Sequence, residues 1–101
     1  MCSPRRSVVI GHGRLPVLCG DILRRLGHEI VAVSSPDAPL REWAAEHGVP
    51  FVASLAAPER HTATRELDYL FSIANYRVIP ATLLAAPRRY AVNYHDGPLP
   101  S

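Results

Sequence analysis

Asn93 and His95, two residues apart, are the side chains in this sequence best suited to chemistry. Residues 91–94 form a short apolar run that reads as a strand, with His95 at its end. A spacing of two puts both side chains on one face of a strand. An Asn amide can donate to an oxygen that gains negative charge during a reaction. A His can hold or deliver a proton near neutral pH. Acyl transfer needs both functions at one carbonyl. An Asn and a His at a strand end also serve to satisfy backbone groups, so the pair alone leaves two readings open. Gly97 then permits a sharp turn, and Pro98 and Pro100 stiffen the backbone beyond it. Such a loop is either a rigid surface turn or the frame of a site.

A second constellation is Gly11-His12-Gly13, directly after the apolar run 7–10. Pro16 stands where a full Gly-x-Gly-x-x-Gly needs its third glycine, which disfavours a dinucleotide site. His12 reads most simply as a solvent-exposed turn residue. His28, His47 and His61 have no metal-ligand spacing with each other or with a cysteine, so no metal is expected. Cys2 and Cys19 form no disulfide framework, and Cys19 reads as a small core residue of a helix.

The elements that must position these residues alternate in type. Residues 7–10, 29–33, 49–52, 69–73 and 91–94 read as strands. After the first strand, Leu15, Leu18, Cys19, Ile22 and Leu26 recur at helical spacing, with Pro16 in the first turn and Gly27 closing the run. Asp37 suits the cap of a second helix, whose face is Leu40, Trp43, Ala44 and His47 and which Gly48 stops. Residues 53–66 are weakly helical around Pro58, and residues 80–85 predict a short helix. Strands alternating with helices imply a Rossmann-like α/β fold, a parallel sheet flanked by helices. In such sheets ligands bind beyond the carboxyl ends of the strands, where both constellations fall. The chain stops just after the last strand, so the expectation is a truncated fold, the N-terminal part of a catalytic domain.

Composition narrows the function classes. The formal charge is +2, and all eleven basic residues are Arg, in separated pairs such as Arg24-Arg25 and Arg88-Arg89 rather than one stripe. Nucleic-acid binding is therefore not expected on charge alone. No signal-like leader and no membrane-length apolar stretch is present, so a cytoplasmic protein is the default.

The stretch Asn93-Tyr94-His95-Asp96-Gly97-Pro98-Leu99-Pro100 resembles the signature of the tetrahydrofolate-dependent formyltransferase superfamily, Asn-x-His followed by a loop ending Leu-Pro. Methionyl-tRNA and glycinamide ribonucleotide formyltransferases belong to that superfamily. The His-Asp-Gly-Pro-Leu-Pro form is similar to formyltransferase domains at the start of nonribosomal peptide synthetases. Residues 68–73 and Arg77-Val78-Ile79-Pro80 also fit. The resemblance implies 10-formyltetrahydrofolate as donor, Asn93 as oxyanion donor and His95 as the group that assists proton transfer. It assigns Arg77, Val78 and Ile79 to the pterin, and Gly11, His12 and Gly13 to a loop facing the amine substrate. Without the resemblance, residues 77–79 read equally well as a strand-to-helix connection. The family's third catalytic residue, an Asp well downstream, has no counterpart among these 101 residues. The chain by itself is thus expected to be inactive.

The function so implied is N-formylation of an amine on a biosynthetic intermediate. The acceptor would be an aminoacyl group on a carrier domain, a sugar amine or aminoacyl-tRNA, and the form of the loop favours the first. The alternative is a non-catalytic Rossmann-like module that binds folate or docks on a synthetase. A nucleotide-dependent oxidoreductase would need an acidic residue ending the second strand, where Ser34 and Ser35 stand.

Overall fold

Val8, Val9 and Ile10 are wholly buried because β1 (Arg6–Gly11) runs through the middle of a parallel sheet. The computed structural model describes residues 4–55 and 66–94. β1 leads through α1 (Leu15–Arg25) to β2 (Glu29–Ser34) and then α2 (Ala38–His47). The chain then crosses back to β3 (Tyr69–Ile73), and a five-residue α3 (Ala81–Ala85) leads to β4 (Tyr90–Tyr94). Among the described residues the sheet has four strands, all parallel, in the order β2-β1-β3-β4. This is the expected Rossmann-like α/β architecture. No helix among the described residues is long and apolar enough to cross a membrane.

Alternation along β1 builds a core on each face of the sheet. Val9 packs with Leu23, Leu40 and Trp43 under α1 and α2, whereas Val8 and Ile10 pack with Leu70 and Leu83 on the other face. The second helix forms with Leu40, Trp43 and Ala44 buried as its spacing predicts, but His47, expected on the same face, is exposed, its ring 4.9 Å from that of Trp43. Gly48 ends it in the left-handed conformation at φ 66°, where glycine carries no Cβ penalty.

Two expectations are corrected. Residues 49–52 do not form a strand. They contribute one bridge, Phe51 with Val33, held by Val33 N–H to the Pro50 carbonyl and Val52 N–H to the Val33 carbonyl. Pro50 has no N–H to extend the ladder. In α1, the stripe that periodicity marks as core points outward, with Leu18, Ile22 and Leu26 exposed by 55%, 54% and 69%. The buried residues are Pro16, Gly20 and Leu23. The cause is the contact with α2. The Trp43 ring lies against Gly20, where a Cβ would meet it at 2.8 Å, and Trp43 Nε1 donates to Asp21 at 2.8 Å. This seats the Gly20 side of α1 on the protein. The stripe instead walls a valley of about 650 Å³ over Tyr69, Phe71, Ile73 and Tyr94. Cys19 on the same wall is half-buried, and burial pushes its thiol up to about 11. Residues 56–65, which hold most of the weakly helical segment, lie outside the described residues.

The amino ends of three strands converge on one buried carboxylate. Asp68, 3% exposed, accepts from the Arg6 backbone N–H at 2.8 Å, and its own N–H donates to the Arg6 carbonyl. Its Oδ1 takes the Arg88 guanidinium at 3.0 Å, just before β4. The Arg6 N–H, then Arg88 and Arg5, hold its carboxyl below the ordinary range against the opposing effect of burial. A carboxyl depressed on folding contributes stability above its unfolded pKa of about 3.9, lost as pH falls through the folded value. Urea unfolding of the wild type should therefore show a midpoint that drops on acidification below about pH 4. Asp68→Asn should lower the midpoint at pH 7 by about 1.5–3 kcal/mol equivalent and flatten its acid dependence. An Asn variant with the same acid slope would show that Asp68 is not the group responsible.

Candidate functional site

The strand order reverses between β1 and β3, and the carboxyl ends of these strands frame a crevice. Four exits meet there. β1 ends in the loop Gly11-His12-Gly13, β2 in Ser34 and Ser35, β3 in Ala74 to Arg77, and β4 in Asn93 and Tyr94. Ala74 joins three of these exits. Its carbonyl accepts from the His12 N–H, and its N–H donates to the Tyr94 carbonyl at 2.8 Å. It does so at φ 51°, a left-handed conformation that costs a non-glycine residue about 1–3 kcal/mol.

Asn75 shapes the next turn. Its buried amide donates to the Arg77 carbonyl at 2.8 Å and accepts from the Arg77 N–H at 3.2 Å. Arg77 in turn reaches back across the sheet. Its guanidinium donates to Ser34 Oγ and to the Ala53 carbonyl, both at 3.1 Å, while Nε is buried with no partner among the described residues. Burial lowers the Arg77 pKa from its ordinary value, and the Asp37 charge opposes that. The Arg77 side chain thus braces β2 to β3, and Val78, 90% exposed, and half-buried Ile79 come directly after it.

A cleft of about 420 Å³ opens beside this turn. Leu70, Ser72 and Asn75 form its floor, residues 77–79 and Leu84 one side, and Ala91, Val92 and Asn93 the other. Asn93 pairs in register with Ser72. The volume lies within the ordinary range for small-molecule pockets, roughly 300–1,000 Å³. Its lining combines apolar side chains with the Ser72 hydroxyl, Arg77 and two amides, Asn75 and Asn93, which suits a flat, hydrogen-bonding ring system. Two of the groups singled out in the sequence, Asn93 and the segment 77–79, therefore share one cleft. His95, with the loop after it, lies outside the described residues.

Gly11, His12 and Gly13 do not line that cleft. They sit at the reversal point, where the His12 ring lies 4.8 Å from that of Tyr76 and its Nδ1 accepts a long bond, 3.4 Å, from the Tyr76 N–H. His12 is half-buried by this contact, not the exposed turn residue expected. On its far side Gly13 N–H donates to Asp37 Oδ2 at 2.9 Å. The sequence pattern does not mark Asp37, Tyr76 or Asn75 as site residues, since each acts through a fold contact that periodicity does not encode. The same holds for Ser7: its buried hydroxyl bonds His28 Nδ1 at 2.8 Å at the amino edge of the sheet, far from these exits. No cluster of three or more His, Cys, Asp or Glu able to hold a metal occurs among the described residues. No protein-family model matches the chain, and no curated protein is significantly similar to it.

Proposed function

We propose that this chain supplies the donor-binding part of a formyltransferase that uses 10-formyltetrahydrofolate. The observation that carries the reading is the cleft shared by Asn93 and residues 77–79, at the carboxyl edge of a parallel sheet. The pterin would lie between Ile79, Leu84 and Leu70, its edge read by the backbone of residues 77–79. The acceptor amine attacks the formyl carbon, and negative charge develops on the formyl oxygen, toward which the Asn93 amide donates. That attack forms the new C–N bond; collapse of the tetrahedral intermediate restores the carbonyl and breaks the bond to N10 of the folate, which takes up the proton that the attacking amine gives up. By the resemblance, His95 assists that transfer. The acceptor is an amine of a biosynthetic intermediate, with an aminoacyl group in nonribosomal peptide synthesis as the leading class.

Binding tests this reading on the chain itself. Titration with 10-formyltetrahydrofolate, monitored by the quenching of Trp43 or by calorimetry, should give saturable binding. Ile79→Ala removes apolar wall and should weaken it by about 5- to 30-fold, the equivalent of about 1–2 kcal/mol of lost burial. Because Ile79 also packs against the core, the unfolding midpoint is measured beside the titration. A folded chain that does not bind the folate overturns the proposal. Binding without any transfer in the whole protein would instead favour the non-catalytic module.

A further inference from the structure

A parallel sheet ordinarily carries helices over both faces. Here α1 packs on β1, β2 and β3, while the edge strand β4 is exposed along its whole length. Tyr90 and Val92 share the α1 face with Tyr94. They pair in register with Tyr69 and Phe71, and the Tyr69 and Tyr90 rings stack at 6.3 Å. Nine large apolar side chains are exposed among the described residues, and six of them lie on this face: Leu18, Ile22 and Leu26 of α1, and Tyr90, Val92 and Tyr94 of β4. With Tyr90 exposed by 68% and Tyr94 by 51%, the six present roughly 600 Å², at about 150–250 Å² for a whole aromatic side chain. That matches the largest apolar patch of an ordinary monomer, about 300–600 Å², and such patches mark interaction sites.

Shape and charge decide what fits. The patch is concave, the valley of about 650 Å³ with α1 as its wall and the strands as its floor. β4 stands two strands from β1, about 9.6 Å away, and packed helices lie about 8–10 Å apart. One helix laid beside α1 would therefore rest on β3 and β4. Arg14 and Arg25 are eleven residues apart, three turns on one line along the crest of α1 next to Leu18. Both are exposed, and neither has an ion-pair partner among the described residues. Asp21, the one carboxylate of α1, is drawn away to Trp43 of α2. A second copy of the chain would set its own arginine crest against this one, which like charges oppose. A flat lipid surface cannot enter a valley one helix wide.

We infer that the valley is a docking groove for an amphipathic helix of a partner protein, with apolar anchors at i, i+3, i+4 and i+7 on β3 and β4 and a row of carboxylates facing Arg14 and Arg25. The anchors hold the helix, and the carboxylates select it. Groove and cleft lie on opposite faces of the sheet, so docking stands apart from the formyl-transfer reading.

The probe is an amphipathic peptide of about 14 residues with that spacing of leucines and glutamates along one flank. Its binding to the 101-residue chain is followed by fluorescence anisotropy at low salt, beside the same peptide with lysine for glutamate. The glutamate peptide should bind saturably and at least about tenfold more tightly, a preference that shrinks as salt rises. Ile22→Glu, at an exposed position, should weaken it by more than about tenfold. Arg14→Glu combined with Arg25→Glu should reverse the preference toward the lysine peptide. Both arginines are exposed, so the reversal is read on a folded chain whatever Ile22→Glu does to α1. Absence of binding, equal binding of the two peptides, or no reversal overturns the inference. So does a chain that dimerises through this face or adsorbs by it to phosphatidylserine vesicles, either being shown by its loss in Ile22→Glu.

Discussion

Replacing Asn93 by alanine is expected to slow formyl transfer by about 100- to 1,000-fold in the whole protein, with the folate Kd changed by no more than about twofold. The register of β4 is the reason. Asn93 faces the same side as Ala91 and lies opposite Ser72, so its amide sits on the wall of the cleft rather than against the α1 face. A donor aimed at the formyl oxygen contributes little while that oxygen is a neutral carbonyl. It contributes most when the carbon becomes tetrahedral and the oxygen carries charge, so its loss falls on kcat. Asn93→Asp separates this role from simple packing. It keeps the shape and places an acceptor where a donor is needed, and should be at least as slow as the alanine variant. Single-turnover transfer beside equilibrium folate titration measures the two effects. Wild-type turnover in Asn93→Ala would remove the oxyanion assignment. A parallel fall in folate binding would make Asn93 a binding residue.

Gly11→Ala should have the largest effect on folding. Gly11 ends β1 in register with Ile73, and a Cβ there would fall inside contact distance of the Ile73 carbonyl oxygen, with the Pro16 ring at 2.9 Å on the other side. A flexible side chain could yield, but a backbone carbonyl held in the central strand pair cannot. Overpacking of this kind costs about 1–3 kcal/mol where neighbours give way, and the upper end or more is expected here. Chemical denaturation of Gly11→Ala beside the wild type measures this cost. A loss under about 1 kcal/mol would show that the β1–β3 pair can part without penalty. The role of Gly11 in this structure is thus spatial: it lets the first loop leave the sheet close to β3. The same close approach lets the His12 N–H reach the Ala74 carbonyl.

The cleft and the fold are coupled through these positions. The 77–79 segment is held by Asn75 and by the Arg77 contact to Ser34, so the wall of the cleft depends on β2 as well as β3. The exposed valley beside α1 is separate from the cleft. Tyr69, Phe71 and Ile73 face it, while Leu70 and Ser72, one residue over, face the cleft.

Short-range pattern was enough to read the alternation of strands and helices, the stop at Gly48, a short helix near residues 80–85, and the position of Asn93 on the last strand. Each of these depends on residues within one or two turns of each other, where hydrophobic period and backbone preference dominate. Periodicity failed at α1, because a helix with apolar residues on two sides does not reveal which side meets the sheet, and Gly20 against Trp43 settled it. It failed again at residues 49–52, where Pro50 has no N–H to extend a ladder on the β2 edge and only the Phe51–Val33 bridge forms. The polar geometry of the crevice was decided by the tertiary structure alone. Asp37 reaches Gly13 across 24 residues and Arg77 reaches Ser34 across 43, and both contacts exist because the order β2-β1-β3-β4 brings these exits to one edge. Residue type makes such a contact possible, but only the strand order supplies the distance.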